Sequence, residues 1–91
     1  MYVAELMIIS DTIDDAVDNF RSGTSAHGSL TMLASSLSFG RQLGNGLRDE
    51  VEKTVTEESA IFKDVQLPLD ERTLKRFRYA CQRVAAVISK D

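Results

Sequence analysis

Four aspartates near the N-terminus are the side chains best suited to binding a metal. Asp11, Asp14, Asp15 and Asp18 recur at helical spacing, which places positions 11, 15 and 18 on one helix face. Such carboxylates bind magnesium when further acidic groups and a phosphate-bearing substrate converge on them. The chain offers only scattered acids over residues 49–52 for that purpose. We therefore predict an exposed or partner-facing acidic surface, with no metal and no cofactor.

A basic stripe near the C-terminus has the opposite charge. Arg72, Arg76, Tyr79 and Arg83 fall on one face of a predicted helix. Arginine binds phosphates and tyrosine stacks on bases, but no helix-turn-helix or aromatic RNA-binding motif accompanies them. The whole chain carries a net charge of −3. We predict that these four residues bind an acidic protein surface, with direct nucleic-acid binding as the alternative.

The remaining reactive side chains lack the neighbours that catalysis requires. His27 lies in a polar segment with no second ligand or nucleophile, and Cys81 falls within an apolar stripe, where a thiol acts as a small buried hydrophobe. The serines over residues 35–38 have no catalytic signature. The glycine-rich segment 40–46 lacks the ending of a phosphate-binding loop. We predict that the protein is not an enzyme.

Helices are the elements that must position these stripes. Apolar residues recur at alternating spacings of three and four from Tyr2 to Phe20 and from Leu74 to Ile88, the pattern of helices that bury one face. The apolar stripe from Tyr2 to Phe20 predicts a helix over about residues 2–20, ended by Gly23, with a β-strand over residues 2–9 as the alternative. The apolar stripe from Leu74 to Ile88 predicts a helix over about residues 71–89, with Asp70 as its N-cap.

The middle of the chain allows two interpretations. Residues 29–62 form either one helix about 50 Å long or two helices that break at Gly44-Asn45-Gly46. A compact domain of 91 residues has a radius of gyration near 12–13 Å, which favours the break. Ser25 or Ser29 is a candidate N-cap, and residues 57–69 form a second connection. The sequence thus predicts an all-α fold, a small bundle of three to four helices in a single domain over residues 1–91.

The start of the first helix is apolar nearly all round. Val3, Met7 and Ile8 point away from Leu6 and Ile9, and the outer helix of a small bundle cannot bury both sides. A domain of this size is also marginally stable, and one cysteine allows no internal disulfide. We predict that these five residues form the interface of a homo-oligomer, a dimer or tetramer, which completes the bundle.

Charge is distributed unevenly along the chain, which bears on the function. The net charge is −4 over residues 1–22, −2 over residues 23–68 and +3 over residues 69–91.

No apolar run is long enough to cross a membrane, and no signal peptide is expected. The single thiol fits a reducing cytoplasm.

These features predict a cytoplasmic, self-associating regulator that inhibits or sequesters another protein. In its most specific form, the target is a DNA-binding regulator, bound in the manner of an antirepressor. A nucleic-acid-binding module that uses the basic C-terminal helix is one alternative. A small structural or assembly component is the other.

Overall fold

The part of the chain that the structure describes contains four α-helices. This computed structural model describes the backbone of residues 3–39 and 42–89, and the side chains of residues 9–39 and 42–89. The helices are α1 (Val3–Arg21), α2 (Ala26–Leu37), α3 (Asn45–Ala60) and α4 (Glu71–Ile88). No strand occurs within those ranges, so the predicted all-α fold is confirmed and residues 3–9 are helical. The longest dimension, 36 Å, is too short for one unbroken helix over residues 29–62.

α2 and α4 form the centre of the packing. Each of them contacts all three other helices, whereas α1 and α3 each pack against these two. Phe77, Ala80, Cys81 and Val84 of the apolar stripe of α4 are completely buried. The prediction that Cys81 lies in the core is therefore confirmed. Burial raises the pKa of its thiol to about 12, because a thiolate is poorly solvated in an apolar environment.

Three phenylalanines tie the connection between α3 and α4 to this core. Phe20 of α1 stacks on Phe77 of α4 with ring centroids 4.2 Å apart. Phe62, which follows α3, meets both rings edge-on at 5.5 Å. Each such pair contributes about 0.5–1.5 kcal/mol beyond the area it buries. Phe62 thus fixes the connection in place, and this connection forms part of the surface described below.

The helix ends follow local sequence signals. The Ser25 hydroxyl accepts a hydrogen bond from the Gly28 N–H at 2.9 Å, and the Asp70 carboxylate accepts one from the Thr73 N–H at 2.8 Å. Both are N-caps, so Ser25 and not Ser29 caps α2. Gly23 follows α1 with φ +111°, a conformation that glycine adopts without the strain of a side chain.

Two predicted boundaries are wrong. α2 ends at Leu37, where the Ser38 hydroxyl donates to the Ala34 carbonyl oxygen at 2.7 Å, and Gly44 is already the N-cap of α3. The break therefore begins earlier than Gly44-Asn45-Gly46. α3 also extends to Ala60, so the connection predicted over residues 57–69 begins only at Ile61. It extends because Glu58, a polar residue, continues the buried face of α3.

Candidate interaction surface

The predicted acidic stripe lies on the surface of α1. Asp11, Asp14, Asp15 and Asp18 are all exposed. Asp14 accepts a hydrogen bond from Arg78 of α4 at 2.8 Å, an ion pair that the sequence did not predict because Arg78 lies outside the basic stripe. No cluster of three or more metal-ligating side chains occurs among the described residues.

The predicted oligomer interface lies mostly outside the described side chains. Val3, Leu6, Met7 and Ile8 belong to α1 by their backbone, but their side chains are outside the described residues. Ile9, the fifth residue of the set, is half-buried and packs against the core of its own chain. An interface at these positions stays a prediction.

The basic face of α4 is built around a buried carboxylate on α3. The Glu58 side chain is 4% exposed, and its Oε1 lies 2.9 Å from Nη1 of Arg76. Its Oε2 accepts a hydrogen bond from Nη1 of Arg83. Two of the four residues predicted to bind a partner therefore also hold α3 against α4. Glu58 was not predicted as a site residue, because it falls within the connection predicted over residues 57–69.

The ion pairs with Glu58 fix the side chains of Arg76 and Arg83. A carboxylate buried to this extent is stable only with charged or hydrogen-bonding partners. The hydrogen bond to Glu58 in turn raises the pKa of Arg83, since it favours the charged guanidinium. The guanidinium carbon of Arg76 also lies 4.9 Å from the ring centroid of Tyr79, a cation–π contact. Arg76 is thus held between Glu58 on one side and Tyr79 on the other.

Exposed apolar side chains adjoin these arginines. Ile61 is 51% exposed, Val65 is 37% exposed and Tyr79 is 52% exposed. A shallow hollow of about 200 Å³ is lined by Ile61, Phe62, Val65, Arg72, Thr73 and Arg76. Buried Phe62 anchors the segment, so its neighbours in the sequence face outward. We call the surface formed by Ile61, Val65, Arg72, Arg76 and Tyr79 the basic corner.

The structure brings three of the four predicted partner-binding residues into the basic corner. Arg72 and Arg76 line the hollow, and Tyr79 joins it through its contact with Arg76. Arg83 lies two turns beyond Arg76 and is directed at Glu58. Ile61 and Val65 were missed, because the sequence does not show which apolar residues of this connection are buried and which face outward.

Comparison with known proteins does not assign this surface a function. No protein-family model matches the chain, and neither a curated protein nor a solved structure matches it significantly. Among the described helices, none is long and apolar enough to cross a membrane.

Proposed function

We propose that this protein is a small self-associating regulator that binds and inhibits another protein through the basic corner. The observation that carries the proposal is the position of exposed Ile61, Val65 and Tyr79 directly beside arginines that Glu58 holds in place. Clustered apolar side chains on a surface mark interaction sites. Tyrosine and arginine are the residues most enriched where binding energy is concentrated. Side chains fixed in advance also lose less entropy when they bind.

The chemistry of the basic corner indicates the kind of partner. Arg76 and Arg83 share the single buried carboxylate of Glu58, and exposed Arg72 lines the hollow beside Arg76, so cationic groups face a partner at this surface. The hollow of about 200 Å³ suits a single apolar side chain inserted as an anchor. The expected target is therefore a protein segment that is acidic and carries one exposed apolar residue. In the most specific form of the proposal, that target is a DNA-binding regulator, which the protein sequesters as an antirepressor does. This form rests on analogy with other small helical regulators.

Nucleic acid is the competing ligand for the same surface. Arginines beside an exposed tyrosine also suit phosphates and unstacked bases. Against this, Arg76 and Arg83 already share the negative charge of Glu58, and the chain as a whole carries −3. Both facts weaken the sequence-independent attraction to a phosphate backbone. Exposed Ile61 and Val65 favour a protein partner, because they suit an apolar side chain.

Arg72→Glu and Tyr79→Ala test the proposal without disturbing the fold. Both side chains are exposed, and neither belongs to the ion pairs of Glu58. The tagged wild type is expected to retain its target from a nuclease-treated lysate. Each variant should retain it at least about tenfold less well, which corresponds to a loss of about 1.4 kcal/mol. Met32→Ser is the matched control, because Met32 is an equally exposed apolar residue on α2, away from the basic corner.

Two outcomes count against the proposal. Capture that both variants leave unchanged would show that the basic corner is not the binding surface. Retardation of random DNA or single-stranded RNA by the isolated protein, weakening steeply as salt rises, would instead make the protein a nucleic-acid binder. Charge reversal at Arg76 or Arg83 is less informative, because it would place a second carboxylate against buried Glu58 and destabilise the fold.

A further inference from the structure

A groove between α2 and α3 forms a surface separate from the basic corner. It has a volume of about 390 Å³, and none of the residues of the basic corner lines it. Its apolar lining consists of Ala34, Leu43, Val51 and Val55. Polar side chains complete the lining, among them His27, Arg48 and Glu52.

An exposed phenylalanine directly follows a lining residue of this groove in the chain. Phe39 directly follows Ser38, which lines the groove, and is 89% exposed. Its backbone N–H donates to the Ser36 carbonyl oxygen at 3.4 Å, so the residue continues from the last turn of α2. Burying a phenylalanine side chain is favourable by about 1.5–3 kcal/mol. An exposed apolar side chain that can act as a knob therefore lies one residue along the chain from a groove whose eleven described lining residues include four apolar ones.

The charges along the groove are complementary to a second copy of the same surface. Arg48 and Glu52 lie one turn apart on α3 and are exposed, and no ion pair within the described residues involves either of them. If α3 crosses a second α3 in antiparallel orientation about a twofold axis near residue 50, Arg48 of each copy lies opposite Glu52 of the other. Such a twofold interface must be self-complementary in this way.

We propose that this face is a twofold homodimer interface. Phe39 of each copy enters the α2–α3 groove of the other, and Arg48 pairs with the partner's Glu52. The occupant of the groove is a second copy, because one surface supplies the knob, the groove and both charges. The dimer would also add buried apolar area to a chain whose size makes it marginally stable. This interface differs from the predicted one at Val3–Ile9, and the experiment separates the two.

Sedimentation velocity of charge-reversed variants tests the proposal. The wild type is expected to sediment as a dimer at tens of micromolar. Arg48→Glu and Glu52→Arg should each shift the protein to monomer, because like charges then face each other across the axis. An equimolar mixture of the two variants should recover the dimer mass, because every pair across the axis is again of opposite sign. Phe39→Ser should be monomeric with an unchanged helical circular dichroism spectrum, and Met32→Ser should remain a dimer.

Other results would overturn the proposal. A monomeric wild type, or a dimer that Phe39→Ser and both charge reversals leave intact, excludes this interface. A mixture of the charge-reversed variants that stays monomeric excludes the pairing of Arg48 with Glu52. If Ile8→Asp dissociates the oligomer and Phe39→Ser does not, the interface is the one predicted at the N-terminus. A monomeric wild type would also refute the self-association in the proposed function. Binding at the basic corner is measured separately, by capture of the target, so failure of the groove interface and failure of the binding surface are distinguishable.

Discussion

Glu58 links the stability of the fold to the proposed binding surface, since its buried carboxylate holds Arg76 and Arg83. The Arg76 and Arg83 side chains are 37% and 45% exposed, so removing the Glu58 carboxylate loses the two charged contacts that join α3 to α4 but leaves no unpaired charge buried. Glu58→Ala is therefore expected to lower the free energy of unfolding by about 2 kcal/mol, measured by urea denaturation. Glu57→Ala, at the exposed neighbouring position, should change it by less than about 0.5 kcal/mol. Equal losses in both variants would contradict the role assigned to Glu58.

Asp70 makes stability depend on pH at the N-terminus of α4. Hydrogen bonds from the side chain and the backbone N–H of Thr73 lower the pKa of its carboxyl group. The folded state thus favours the carboxylate, and this contribution is complete above the unfolded pKa of about 3.9. It is lost as the pH falls through the lower pKa of the folded state.

Asp70→Asn tests this dependence, because asparagine also caps helices but does not titrate. The stability of the wild type relative to the variant should decrease as the pH is lowered from neutral to below the usual carboxyl range. Urea midpoints measured across that range give the difference. A difference that does not change with pH would show that the Asp70 carboxylate contributes no more than a neutral cap.

Two helix ends give opposite expectations for the same substitution. Gly23 has φ +111°, so Gly23→Ala should destabilise the protein by about 1 kcal/mol or more. Gly46 lies in the first turn of α3, and an added Cβ there meets nothing within 4 Å. Gly46→Ala should therefore stabilise by up to about 1 kcal/mol. Thermal unfolding should show midpoints that move in opposite directions by several degrees, and a shift of the same sign in both would contradict the assigned backbone conformations.

Helices with a complete apolar stripe could be predicted from the sequence, and helices with polar buried residues could not. α1 and α4 were located within about two residues because their stripes continue to Phe20 and Ile88. The end of α3 was misplaced because Glu58 occupies a buried position that the hydrophobic pattern does not mark. Its burial depends on Arg76 and Arg83, which are distant in the sequence.

The basic corner, too, could be predicted only where a local pattern in the sequence marks its residues. Helical spacing alone places Arg72, Arg76 and Tyr79 on one face. The outward position of Ile61 and Val65 follows instead from the packing of Phe62 between two other phenylalanine rings, which no local pattern in the sequence reports.

Over the whole molecule, α3 contributes to both proposed surfaces from different sides. Glu58 supports the basic corner, whereas Arg48 and Glu52 border the α2–α3 groove. A dimer formed through the groove therefore leaves one basic corner open on each copy. Two identical sites related by a twofold axis would bind a twofold-symmetric target with greater avidity than one site does, if the spacing of the sites matches. Many regulators that bind DNA palindromes are such symmetric dimers.

Dimerisation through the groove should also make thermal stability depend on protein concentration. Association that occurs only in the folded state stabilises that state by mass action, so the melting temperature of the wild type should rise as its concentration is increased. Phe39→Ser should melt at a temperature independent of concentration, because the exposed side chain contributes little to the fold of the single chain. Met32→Ser, which removes an exposed apolar side chain away from the groove, should keep the dependence of the wild type. Circular dichroism melts over a hundredfold range of concentration measure this, and a wild-type melting temperature that stays constant would exclude a dimer that stabilises the fold.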